Sequence, residues 1–144
     1  MAKILFIIFL LILSNPLRSQ LKIIPKFKHL KIIGSWEFRS MEVLTYADKL
    51  MTNKIQRDEK NNETITFHKT GLISYTSLEN NEKSGGEGEW LIKDDRLRII
   101  TDNDTINGNY SLQDGILSIS MKVNETKTHF AHQINVTYKN KSLK

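Results

Sequence analysis

The chain has 144 residues, a formal charge of +5 and no cysteine. A chain of this length can bury one core unaided, and without cysteine it has neither disulfides nor a thiolate metal site. Its positive charge sits largely at the two ends, with no basic face interleaved with stacking aromatics, so nucleic-acid binding is not expected.

The first 20 residues have the layout of a secretory signal peptide: Lys3, an apolar run from Ile4 to Leu13, then Pro16 and a polar exit. Ten apolar residues in a helix span roughly 15 Å, whereas a bilayer core takes about 20 residues to cross. Cleavage is therefore expected rather than retention as an anchor, with Ser19–Gln20 as the scissile bond. No cysteine follows the apolar run, which rules out anchoring through a lipidated cysteine. The chain divides into a leader (1–19), a lead-in (20–33) and a folded domain (34–140), and the mature protein is expected to be secreted or periplasmic. An exported domain without disulfides leans toward a bacterial envelope.

Loss of Lys3 and Arg18 leaves the mature charge near +3. Lys22, Lys26, Lys28 and Lys31 stand at the front, and Lys139, Lys141 and Lys144 at the back. Basic ends of this kind either remain solvated or make weak contact with an anionic membrane surface. Six Asn-x-Ser/Thr sequons occur, at Asn62, Asn103, Asn109, Asn124, Asn135 and Asn140. They matter only in a eukaryotic secretory pathway, and a composition rich in Asn and Thr produces them by chance.

Pro25 breaks the lead-in, and a short 3₁₀ turn is expected after it, with Phe27, Leu30 and Ile33 on one side. From Gly34 the pattern changes to alternation, the mark of half-buried strands. Trp36, Phe38 and Ser40 face one way, and Glu37, Arg39 and Met41 the other. Residues 42–62 fit either a helical turn around Tyr46–Met51 or a bulged strand. Ile65 and Phe67 lead across the Lys69-Thr70-Gly71 turn to Ile73 and Tyr75. Glu79 to Gly88 is polar and glycine-rich, and is expected to be a mobile rim loop or an insertion.

Trp90 and Ile92, then Leu97 and Ile99, form the next alternating pair. Ile106, Gly108, Tyr110 and Leu112 share a parity, as do Leu117, Ile119, Met121 and Val123. The last strand places Phe130, His132, Ile134, Val136 and Tyr138 on one face. Asp94-Asp95, Asp102-Asn103-Asp104 and Asp114-Gly115 supply hairpin turns between them. Consecutive strands joined by short turns form a meander, and closing it hides both edges. The predicted fold is all-β: an eight- to nine-stranded antiparallel up-and-down barrel.

The segment Ile33-Gly34-Ser35-Trp36-Glu37-Phe38 resembles the first strand of lipocalins and their calycin relatives. Ile65 to Gly71, Gly88 to Ile92 and Asp95 to Ile99 follow in an order similar to the small lipocalin-like proteins exported by Bacteroidota-type bacteria. The resemblance spans about residues 30–138. It implies an eight-stranded barrel in which Trp36 plugs the closed end and Gly34 lets the chain turn in from the preceding 3₁₀ segment. The chain departs from animal lipocalins in having no Thr-Asp-Tyr motif and no helical pattern after its last strand.

Catalytic chemistry finds little support. His129 and His132 are three apart, which on a strand sends them to opposite faces, so no metal site is expected. The aspartate pairs fall where hairpins need turn residues. No Gly-x-Ser-x-Gly occurs, and Gly85-Gly86-Glu87-Gly88 lacks the lysine and helix of a phosphate loop. An enzyme is not expected, nor any cofactor. The inner aromatics leave two readings open. Phe67, Tyr75, Trp90, Tyr110 and Phe130 either line a pocket or fill the barrel, whose interior at eight strands is barely wider than its side chains. The first reading makes the protein an exported, non-enzymatic binder of a small apolar or amphipathic, lipid-like ligand, with the Glu79–Gly88 segment as its lid. The second makes it an envelope structural or protein-interaction barrel with a filled interior.

Overall fold

Short turns between alternating segments dictate strand after strand. The computed structural model describes residues 31–79, 81–102, 105–127 and 130–142. The expected leader, the residues Phe27 and Leu30 of the expected 3₁₀ turn, and His129 lie outside them. Among the described residues the strands are β1 (Gly34–Tyr46), β2 (Leu50–Gln56), β3 (Asn61–Phe67), β4 (Leu72–Glu79), β5 (Glu82–Lys93), β6 (Arg96–Thr101), β7 (Thr105–Gln113), β8 (Ile116–Val123) and β9 (Ala131–Asn140).

β3 to β9 pair consecutively, and β1 joins β3 to β9, closing an antiparallel eight-stranded barrel. β2 is an additional strand that pairs with β1. This is the expected up-and-down architecture, of calycin-like form. The closure is shared unevenly along β1. Its first residues, Gly34–Glu37, pair with β3, while Ser40–Tyr46 pair with β2. Its other edge follows β9 from Trp36 to Tyr46.

At the changeover the β1–β9 ladder shifts register between Phe38 and Ser40. Arg39 is the extra residue of a β-bulge, and a bulge reverses the side-chain parity downstream of it. The expectation that Ser40 faces inward and Met41 outward is therefore corrected. Met41 is 3% exposed, and Ser40 lies on the outer face, where its Oγ is 2.7 Å from Thr137 Oγ1. Two other directly opposed outer-face pairs are hydrogen-bonded in the same way, Ser35 with Thr66 (2.9 Å) and Ser120 with Asn135 (2.8 Å). Such cross-strand polar pairs hold register on a solvated face.

A second correction concerns the segment from Glu79 to Gly88. It is a β-hairpin, with Glu79 paired to Glu82 and the ladder running back to Leu72–Glu89. Asn81 takes a positive φ of 70° at its tip. Polarity and three glycines suggested a loop, but the glycines serve close packing instead. A Cβ on Gly88 would press into the carbonyl oxygen of Ile100, and one on Gly86 would lie 2.7 Å from the Tyr75 hydroxyl. Of the two readings of residues 42–62, the strand holds: β1 runs to Tyr46 and β2 begins at Leu50. Asp94 with Asp95, and Asp114 with Gly115, have the paired positive φ values of tight hairpin turns.

One half of the barrel is solid. Ile32, Trp36, Phe67, Trp90, Leu97 and Leu117 are buried there. Gly34, at φ +130°, turns the chain from the 3₁₀ residues Lys31–Ile32 into β1. The Trp36 indole N–H then donates to the Ile32 carbonyl at 2.8 Å. Trp90 packs edge-on against Phe67, with ring centroids 5.4 Å apart. Its indole donates to the His68 carbonyl at 3.0 Å, and its backbone N–H donates to the Gly71 carbonyl at 2.8 Å. Trp90 thereby clips the β3–β4 turn onto β5.

Candidate functional site

Above this solid half the inward residues become smaller. Ile65 on β3, Ile73 on β4, Ile99 on β6, Ile119 on β8 and Ile134 and Val136 on β9 replace the indoles and phenyl ring. On β5 the inward positions beyond Trp90 are Gly88 and Gly86, which carry no side chain. The result is an apolar cavity of about 110 Å³ in the open half of the barrel. For scale, an enclosed apolar cavity of about 150 Å³ accepts benzene and stays dry otherwise. Met41 from β1, Ile106 from β7 and Met121 from β8 complete its apolar wall, and Thr101 adds a hydroxyl. Methionine lends such a wall adaptability, because its unbranched thioether fits irregular shapes.

One carboxyl-bearing residue breaks this lining. Glu63 of β3 shares the inward parity of Ile65 and Phe67, and its carboxyl group borders the cavity. The residue is half-buried. Tyr138 of β9 reaches across β1 and donates its hydroxyl to Glu63 Oε1 at 2.7 Å. The ring of Phe38, on the intervening strand, packs edge-on against Tyr138 with centroids 6.1 Å apart. Here β1 leaves β3 for β2, opening a side slot of about 20 Å³ that Phe38 and Glu63 share with the main cavity.

Burial pushes the Glu63 carboxyl above the usual carboxylate range, and the hydrogen bond from Tyr138 pulls it partly back. Tyr138 is driven well above the ordinary phenol value by burial, then by the Glu63 charge and their hydrogen bond. Among the described residues no cation compensates Glu63. Arg57 and Lys141 are engaged on the outer face with Glu37, at 2.9 and 3.9 Å. Among the described residues no three His, Asp or Glu side chains converge as metal ligands would.

The five aromatics expected as pocket residues are dispersed. Tyr75 borders the cavity. Phe67 and Trp90 pack beneath it in the solid half, outside its lining. Tyr110 packs partly buried against the core, where burial and then the charge of Asp95 raise its phenol. Phe130, expected on the inner face of the last strand, precedes β9 and is 54% exposed. His132 donates Nδ1–H to its carbonyl at 3.1 Å. Gly34 and Trp36 stand together at the closed end.

No protein-family model matches the chain, and no curated protein matches it.

Glu63 and Tyr138 are the polar residues that sequence reasoning passed over. Tyr138 carried a signal in its inward parity. Glu63 carried one too, as an acid alternating with Ile65 and Phe67. An ionisable side chain on the inward face of an apolar strand is costly to bury, and such positions are enriched in function.

Proposed function

We propose that this chain is a non-enzymatic binding protein that holds a small apolar or amphipathic molecule in the open half of its barrel. One observation carries the reading: an apolar cavity persists in an interior whose other half is packed solid. Close packing is the norm in protein cores, and a void forfeits dispersion contacts along its lining. A ligand that restores those contacts gains their energy. The lipocalin-like resemblance and the signal-peptide layout of the first 20 residues agree with an exported carrier of this kind.

The test combines native mass spectrometry with thermal shift. The protein is secreted by a host under its own leader and never denatured. An extra mass released on unfolding, or a rise in melting temperature with short-chain amphiphiles, is the expected result. Ligand at about 100 times its Kd adds about 2.7 kcal/mol, which is on the order of 10 °C for a domain of this size. A bare mass together with no shift across the panel refutes the reading and leaves a structural or protein-interaction barrel that works through its outer surface.

A further inference from the structure

We infer that Glu63 is the polar anchor of this cavity and that it selects small amphiphiles bearing a protonated amine. The inference rests on the binding reading above and names the chemistry of the ligand.

The geometry supplies three reasons. Glu63 makes one side-chain hydrogen bond among the described residues, from Tyr138 to Oε1. That donor leaves the second oxygen, Oε2, to a partner that enters the cavity. Such a partner must donate, because a carboxylate only accepts. The surrounding wall is apolar, so the rest of the ligand must be apolar too. Third, no cation of the described residues balances this acid. A buried carboxylate without a counter-charge is costly, and removing that cost is a gain a cationic ligand collects on binding. A neutral alcohol supplies a donor but no countercharge. A carboxylate ligand adds a second negative charge.

Protonation follows from the same arrangement. The titratable groups around the carboxyl are Tyr138 from β9, Tyr75, which lines the same cavity from the adjoining strand β4, and Glu79 of β4, which borders the side slot. The lining positions of β1, β6, β7 and β8 carry no titratable group. Without ligand, burial favours the neutral acid. An ammonium group binds the ionised form, so amine affinity rises with pH through the titration of Glu63, and binding in that range releases a proton.

The experiment is calorimetric titration of the folded protein with hexylamine, hexan-1-ol and hexanoate near pH 8, then again near pH 5. Hexylamine is expected to bind the wild type about 10- to 100-fold more tightly than hexanol, the range of a charge-assisted hydrogen bond. The advantage should shrink at the lower pH. Glu63→Gln, which keeps the shape and still accepts from Tyr138, should erase that advantage of amine over alcohol. Tyr138→Phe provides a second variant. It removes a donor that favours the carboxylate, so amine preference persists but its onset moves to higher pH. Equal binding of amine and alcohol, or tightest binding of hexanoate, overturns the anchor role while the cavity reading stands. Binding of none of the three, with no copurified mass, overturns both.

Discussion

Replacing Trp36 with phenylalanine isolates a single feature of the closed end. The indole is 2% exposed and its N–H donates to the buried Ile32 carbonyl at 2.8 Å. Phenylalanine keeps an aromatic ring on β1 but removes the donor. A hydrogen bond of this type contributes about 1 kcal/mol net, and leaving its acceptor unsatisfied raises the loss to roughly 1–3 kcal/mol. The smaller ring also leaves a void, so the expected total is about 2–3 kcal/mol. For a domain of this size that lowers the melting temperature by about 8–15 °C. Trp36→Ala should lose about 5 kcal/mol, a large part of the 5–15 kcal/mol typical of a whole domain. Urea unfolding reads the loss. Trp90 is the tryptophan that remains in either variant, so its fluorescence and far-ultraviolet circular dichroism give two probes. Phe130→Ala, at an exposed position, is the control and should stay within about 0.5 kcal/mol. A loss below about 0.5 kcal/mol for Trp36→Phe would show that Trp36 caps the barrel without stabilising it.

Four further outcomes follow from the geometry. The carboxyl of Glu63 binds its proton more tightly in the folded chain than in the unfolded one, so between those two pKa values the folded state holds more protons. Stability therefore falls as pH rises from about the unfolded glutamate value through the folded one, and levels off above it. Glu63→Gln should flatten that decline and be the more stable protein at pH 8, but not at pH 4; a parallel pair of curves would refute it. Tyr138 is raised too, so stability should fall again above about pH 10 as unfolded tyrosine ionises first, and Tyr138→Phe should shrink that fall to the smaller share that the raised Tyr110 contributes. Gly88→Ala forces a methyl against the Ile100 backbone carbonyl and should cost about 1–3 kcal/mol in urea unfolding, whereas substituting Gly71 should act through its φ of 84° instead. A double-mutant cycle on Phe67 and Trp90, whose rings meet edge-on at 5.4 Å, should return a coupling of about 0.5–1.5 kcal/mol, and additive losses would refute a direct interaction.

Features set by near neighbours in the chain are legible in its sequence. Strand alternation has a period of two residues, and hairpin turns such as Asp94-Asp95 and Asp114-Gly115 announce themselves over two positions. Trp36 after Gly34 is a contiguous signal as well. These features depend on neighbours along the chain, and meander order follows from them almost without further choice. The Glu79–Gly88 segment misled because its composition describes exposure: a hairpin at an open rim is as polar as a loop, and its glycines answer to Tyr75 and Ile100 on the adjoining strands.

The site itself needed the tertiary structure. The bulge at Arg39 is invisible in alternation, because a polar residue at that position suits either parity. It is fixed only when β1 must leave β3 for β2 while keeping its ladder to β9. That event turns Met41 inward and opens the side slot beside Glu63. The partner of Glu63 lies 75 residues away on β9, and barrel closure alone brings the two to 2.7 Å. Local sequence sets which faces are apolar. The volume left between those faces, and the one acid enclosed in it, are set by register across eight strands, which no short segment encodes.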